Sequence, residues 1–171
     1  CLFCLVLSRF MFTQVLCINA FIKTAKFFVS SGIFCWTMGW FTILLPQRRQ
    51  VVIYSWATVL IMVFELSAVT GQAALGKLSH FNVSSAFDGL LFALMGVAIT
   101  VFTCWTAYMG FLFFRISPTK TNINAAYLWG IRLGILIFVF YAFEGFLMAG
   151  QLSHTLGEPD GGRGLPVVNW S

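Results

Sequence analysis

The stretch that decides the fold is VVIYSWATVLIMVFELSAVT, residues 51–70, in which Glu65 is the one charged side chain. A helix rises about 1.5 Å per residue, so a run of this length covers the roughly 30 Å hydrocarbon core of a bilayer. Backbone groups inside that core must pair within the protein, which leaves only helices or closed barrels. Barrel strands are short and alternating, whereas this run is continuously apolar. The stretch therefore predicts a transmembrane helix.

The same length criterion, applied to the rest of the chain, predicts an all-α transmembrane bundle with about five crossings. The composition agrees, because 60% of the residues are apolar, 9% are charged and the mean hydropathy is +0.91. Soluble domains carry roughly 25% charged residues. The predicted helices cover residues 1–22, 27–45, 51–70, 89–114 and 126–150, followed by an extramembrane tail at 151–171. We expect one transmembrane domain over 1–171, belonging to a fragment of a longer protein.

The chain has a net charge of +5, and the positions of its basic residues predict a membrane partner and no nucleic acid. The basic residues stand singly or in pairs at the ends of apolar runs, as in the loops of membrane proteins. Alternating crossings put Arg48, Arg49, Arg115 and Lys120 on one side and Lys23, Lys26, Lys77 and Arg163 on the other. This even division gives no orientation under the positive-inside rule. We favour the side of the arginine pair as cytoplasmic.

Twelve polar residues lie on or near the second side, whereas the first side has short loops with basic flanks, and this predicts a polar site on the second side. The candidate residues are Asn19, Lys23, Lys26, Glu65, Gln72, His80, Asn82, Asp88, Glu144, Gln151, His154 and Asp160. A charged side chain deep in a bilayer costs roughly 2.5–3.5 kcal/mol on insertion scales, so such residues usually face a bundle interior and find partners. Lys23 and Lys26 are candidate counter-ions for the glutamates.

Two segments echo one another and suggest a duplicated two-helix hairpin over residues 27–72 and 95–151. Glu65 and Gln72 recur 79 positions later as Glu144 and Gln151 (144 − 65 = 79 and 151 − 72 = 79). Each copy also carries a Cys-Trp-Thr sequence, at 35–37 and at 104–106, followed by a basic loop and then the helix with the glutamate. Parallel repeats of this kind occur in transporters. We expect the two glutamates to lie near one another and to face the bundle interior.

The candidate site leaves three interpretations of the glutamates open. The two glutamates are solvated at the interface, paired with a basic residue or a polar network for structure, or part of a proton, ion or metal site. His80 and His154 with Glu65 and Glu144 are candidate metal ligands, and two histidines could also clamp a haem. Polar loop histidines are the simpler interpretation, so no cofactor is predicted. The five cysteines lie in apolar segments and are interpreted as small buried hydrophobes.

Nothing in the sequence points to a particular enzyme. Neither a G-x-S-x-G nor a phosphate-binding G-x-x-x-x-G-K-[ST] motif occurs, and GEPDGGRGLP at 157–166 is interpreted as a turn-rich loop. Small-solute or ion transport is the function that the repeat and the membrane acids favour. The alternatives are a membrane oxidoreductase that binds haem or metal through His80 and His154, and a structural subunit of a membrane complex.

Three segments carry a resemblance to a family of uncharacterised bacterial multi-pass membrane proteins. They are INAFIKTAKFFVSSGIFCWTMGWF, FELSAVTGQAALGKLSHFN and HTLGEPDGGRGLPVVNWS, and the resemblance spans most of residues 18–171. The chain departs from it at Thr24, where the family often has proline. The resemblance implies a bacterial inner-membrane location and a further polar, histidine-bearing segment after Ser171. It implies no activity.

Overall fold

The computed structural model describes residues 14–15, 18–77, 84–118 and 123–151, and these form a bundle of four helices. The helices are α1 Ala20–Thr42, α2 Arg48–Ala74, α3 Ala86–Phe114 and α4 Ala125–Gln151. Before α1, strands β1 Gln14–Val15 and β2 Ile18–Asn19 pair antiparallel, with Gln14 opposite Asn19. The all-α class is confirmed, since this two-residue pairing adds no sheet layer.

Three of the predicted helices are confirmed with small shifts at their ends, and the first two are corrected. A single helix over 1–22 is wrong, because residues 14–15 and 18–19 form the β1–β2 pairing and α1 begins only at Ala20. The part of that prediction at 1–13 lies outside the described residues. The helix predicted at 27–45 starts earlier and ends at Thr42. Lys23 and Lys26 lie within its first two turns, a position that a long charged side chain near a helix end tolerates.

Three helices, α2, α3 and α4, are long and apolar enough to cross a membrane. Their outward surface is apolar, as in Leu60, which is 67% exposed, and Phe140, which is 68% exposed. Exposed apolar surface on this scale is normal for helices that face lipid. The described residues thus form a membrane protein, and the prediction of about five crossings is not confirmed.

Local signals in the sequence fix the helix ends. Pro46 follows α1 and cannot continue a helix. The hydroxyl of Ser85 caps α3 by accepting a hydrogen bond from the amide of Asp88 at 3.1 Å. The carboxamide oxygen of Asn124 accepts from the amide of Ala126 at 2.8 Å, at the start of α4. These caps satisfy amide groups that a helix leaves unpaired in its first turn.

Neighbouring helices pack as antiparallel hairpins, α1 with α2 and α3 with α4, and α2 also packs against α3. Phe34 of α1 joins the two hairpins, with ring-centroid distances of 5.1 Å to Phe102 and 4.8 Å to Phe138. The buried Tyr54 hydroxyl lies 2.9 Å from the Thr106 hydroxyl, which links α2 to α3. This polar contact is set among aromatic and aliphatic side chains of the core.

Helix α3 packs tightly against α4 at Gly110. A Cβ atom built on Gly110 would lie 2.7 Å from Cγ2 of Ile135. We expect Gly110→Val to destabilise the protein by about 1–3 kcal/mol, because added carbon in a packed contact forces side chains and backbone apart. Thermal unfolding in detergent micelles measures the loss. Gly96→Val is the control, since Gly96 lies in α3 with no atom within 4 Å of its Cβ position; equal losses in both variants would contradict this role of Gly110.

Candidate functional site

A buried carboxylate, Asp88, organises the end of the bundle where α2 passes into α3. Asp88 is 1% exposed. Its Oδ1 atom accepts a hydrogen bond from Nε2 of Gln72 at 3.0 Å, and its Oδ2 atom lies 2.8 Å from Nζ of Lys77 in an ion pair. The hydroxyls of Ser84 and Ser85 also donate to Oδ2, at 3.2 and 2.7 Å. We call these five residues the Asp88 cluster.

Two helix-end motifs hold the cluster together. At the C-terminus of α2, Gly76 adopts a φ of 66°, and the amides of Gly76 and Lys77 donate to the carbonyls of Ala73 and Gln72. This Schellman arrangement uses glycine because the left-handed conformation is strained for other residues. It turns the chain back so that Lys77 reaches Asp88. At the N-terminus of α3, the Ser85 cap and the helix dipole favour a negative charge at Asp88.

Glu65 lies deeper in the bundle than the Asp88 cluster and in a different environment. It is 9% exposed, on α2, about 13 Å along the helix axis from the end at Ala74. Its Oε1 atom is buried and accepts no hydrogen bond from the described residues. A buried polar atom without a partner is costly, and in native proteins it calls for a particular explanation. Asp88 is therefore a satisfied acid and Glu65 an unsatisfied one.

Three buried polar residues follow one face of α2 at intervals of seven residues. Thr58, Glu65 and Gln72 are 6%, 9% and 4% exposed. Seven residues make nearly two turns, so these side chains lie on one face about 10 Å apart along the axis. Gln72 binds Asp88 through Nε2, while its own Oε1 atom is buried and has no hydrogen-bond partner among the described residues. We call Thr58, Glu65 and Gln72 the polar column of α2.

At the opposite end of the bundle, Arg132 of α4 binds the C-terminus of α3. Its Nε and Nη2 atoms donate to the carbonyls of Phe113 and Ile116, at 3.1 and 2.7 Å. Its guanidinium carbon lies 5.3 and 4.9 Å from the ring centroids of Phe114 and Trp129. An arginine near a helix end can extend to the lipid headgroups, but the Arg132 side chain is 7% exposed and caps a neighbouring helix instead.

The structure brings together only part of the candidate site that the sequence predicts. Gln72 and Asp88 are in contact, and Glu65 lies on the same helix face as Gln72. Lys23 is half-buried and Lys26 is exposed on α1, and neither hydrogen-bonds to Oε1 of Glu65. Asn19 lies in β2 and Gln151 ends α4, with their side chains outside the described part. The remaining candidates, His80, Asn82, His154 and Asp160, lie outside the described residues.

The expected symmetry of the two glutamates is wrong. Glu65 is buried, whereas Glu144 is exposed. Gly130 and Gly134 are exposed as well and have no atom within 4 Å of their Cβ positions, so they do not form a helix contact within the described bundle. Cys35 and Cys104 are also exposed, which contradicts the interpretation of these two cysteines as buried.

The metal and haem alternatives rest on histidines that are not described. Among the described residues, no group of three His, Cys, Asp or Glu side chains could hold a metal ion. Glu65 and Glu144 differ in burial and form no such pair within that part of the chain. A visible absorption spectrum and a metal analysis of the purified protein test these alternatives directly.

Three members of the Asp88 cluster were missed as site residues: Lys77, Ser84 and Ser85. Short sequence patterns could have identified two of them, Ser85 and Lys77. Ser85 stands three residues before Asp88 at the start of an apolar run, which is the spacing of a helix N-cap pair. Gly76 stands just after the end of α2, which is typical of a helix C-terminus that turns the chain back.

In comparisons with known proteins, the chain matches no family model, no curated protein and no solved structure.

Proposed function

We propose that this chain belongs to a multi-pass transporter that moves a small solute or an ion across a membrane. The carrying observation is Glu65, a buried carboxyl in the span Arg48–Ala74 with an oxygen atom that accepts no hydrogen bond from the described residues. Ionisable residues inside membrane helices are costly and usually mark a substrate or ion pathway. A purely structural acid would resemble Asp88, whose two oxygens are both engaged.

The location and the duplication belong to the same proposal. The family resemblance supports a bacterial inner membrane, with about five crossings when segments outside the described residues are counted. The duplication is supported by the two antiparallel hairpins α1–α2 and α3–α4. It is further supported by Thr37 and Thr106, which end the two Cys-Trp-Thr sequences and both donate to the carbonyl four residues earlier. The copies have diverged, since only the first keeps its glutamate buried.

The test is flux through proteoliposomes that contain the full-length protein. The probes are protons, sodium, potassium, chloride and glycerol, each under its own gradient. We expect at least one probe to move faster than in protein-free liposomes, and Glu65→Gln to remove that excess, because the substitution keeps the shape and deletes the carboxyl. Normal flux in Glu65→Gln, or no excess flux for any probe, would contradict the proposal.

A further inference from the structure

We propose that the substrate is the proton and that it passes along the polar column of α2, with Glu65 as its carrier. This inference rests on the proposed transport function and names the substrate class for that same site.

The length of the buried polar face fits a route across the membrane. Below Thr58, the face continues to Tyr54, which is 2% exposed and shares a hydrogen bond with Thr106. From Tyr54 to Gln72 the axial distance is about 27 Å, close to the roughly 30 Å of a bilayer core. Buried polar side chains thus recur along almost the whole depth that a proton must cross. Membrane bundles also use polar side chains for hydrogen bonds between helices, as Tyr54 does with Thr106. Glu65 differs, because its buried Oε1 atom has no hydrogen-bond partner among the described residues.

The spacing of the column favours a proton over a metal or alkali cation. A bound cation needs several oxygen ligands at about 2.0–2.6 Å. Thr58, Glu65 and Gln72 are about 10 Å apart along the axis, so no two of them reach one ion. A proton needs only one ionisable group at a time, with hydrogen-bonding groups and water between successive stations. The column supplies one carboxyl, flanked on each side by a neutral polar group.

The unsatisfied oxygens show where water would join the column. Oε1 of Glu65 and Oε1 of Gln72 are buried acceptors without partners among the described residues. Buried water typically binds such groups. Val69 is 1% exposed and lies on α2 between Glu65 and Gln72, so water must displace apolar packing at this level before a proton passes. The packing around Val69 therefore separates Glu65 from the Asp88 cluster, which is the end of the column where a proton would enter or leave.

The neighbouring ionisable groups do not take over the carrier role. Those on the helices packed against α2 are Lys23, Lys26 and Cys35 on α1, and Asp88, Cys104 and Tyr108 on α3. Oε1 of Glu65 accepts a hydrogen bond from none of them. Asp88 is held by four donor side chains, and Cys35, Cys104 and Tyr108 are exposed. Among the acids of the described residues, Glu65 is therefore the buried one with an oxygen atom left to exchange a proton.

The experiment uses the full-length protein in liposomes that contain a trapped pH-sensitive dye. A potassium gradient with valinomycin sets the membrane potential, and acidification of the lumen reports proton entry. We expect proton entry in the wild type, a fall to the level of protein-free liposomes in Glu65→Gln, and partial retention in Glu65→Asp. Glu144→Gln is the matched control, since it deletes the exposed acid at the equivalent position and should keep wild-type entry.

A second pair of variants tests the column apart from the carboxyl. Thr58→Val removes a buried hydroxyl from the column and should slow proton entry. Thr100→Val is the control: it removes a hydroxyl of α3 that donates to the carbonyl of Gly96 on an exposed surface. This variant should keep the wild-type rate of proton entry. Thermal unfolding of each variant in detergent establishes that it is folded.

The outcomes separate this inference from the transport proposal. Proton entry that survives in Glu65→Gln overturns the proton inference. So does wild-type flux of sodium, potassium, chloride or glycerol without proton entry, and in that case the transport proposal stands. Absence of excess flux for every probe overturns both.

Discussion

Asp88→Ala is expected to lower the thermal unfolding midpoint by roughly 5–10 °C, a large change for a chain of this size. The substitution removes the acceptor of four side-chain donors at once, and the site is too buried for water to replace it fully. It also deletes the negative charge from the first turn of α3. Circular dichroism during heating in detergent micelles measures the midpoint.

The control for Asp88 is its own ion-pair partner. Lys77 is 42% exposed, so its charge remains hydrated when the pair is lost, and three donors still hold Asp88. We expect Lys77→Met to shift the midpoint much less than Asp88→Ala, as exposed members of ion pairs usually do. Equal shifts in the two variants would mean that the ion pair alone, and not the set of hydrogen bonds, stabilises this end of the bundle.

Arg132→Met is expected to cost about 3 kcal/mol, because it leaves two carbonyls at the end of α3 without their charged donor. The loss includes the contacts of the guanidinium with Phe114 and Trp129. Arg132→Lys should recover only part, since an ammonium lacks the planar fork that reaches both carbonyls. Unfolding by sodium dodecyl sulfate in mixed micelles gives the free-energy difference.

An exposed arginine provides the comparison for Arg132. Arg49 lies in the first turn of α2, where the helix dipole disfavours a positive charge, and its side chain is exposed. We expect Arg49→Met to be neutral or slightly stabilising. A loss in Arg49→Met as large as that in Arg132→Met would show that removal of any arginine near this membrane face is harmful, whatever the side chain contacts.

The transmembrane helices could be predicted closely because the bilayer sets their length. The apolar runs at 51–70, 89–114 and 126–150 each lie inside the observed helix, which extends a few residues into polar sequence. The N-terminal region was predicted less well. There, polar residues interrupt the apolar run, and hydropathy alone does not distinguish a tilted or early helix start from a strand pairing such as β1–β2.

The candidate site could be predicted in position but not in its contacts. The alternation of crossings correctly put Gln72 and Asp88 at the same end of the bundle. It gave no reason to prefer Lys77 over Lys23 or Lys26 as the partner of an acid. That choice depends on the turn at Gly76, which directs one lysine towards Asp88.

The sequence by itself determined that this is a helical membrane protein, where three of its spans run, and that Gln72 and Asp88 lie at the same end. These properties follow from hydropathy and length, because the thickness and the apolar interior of a bilayer constrain both. Only the tertiary structure decided that Glu65 is buried and Glu144 exposed, although both stand in the same F-E-x5-G-Q pattern. The physical reason is that lipid and protein core are both apolar. The hydropathy of a uniformly apolar helix therefore does not indicate which face lies in the bundle interior. Packing against the neighbouring helices determines that face.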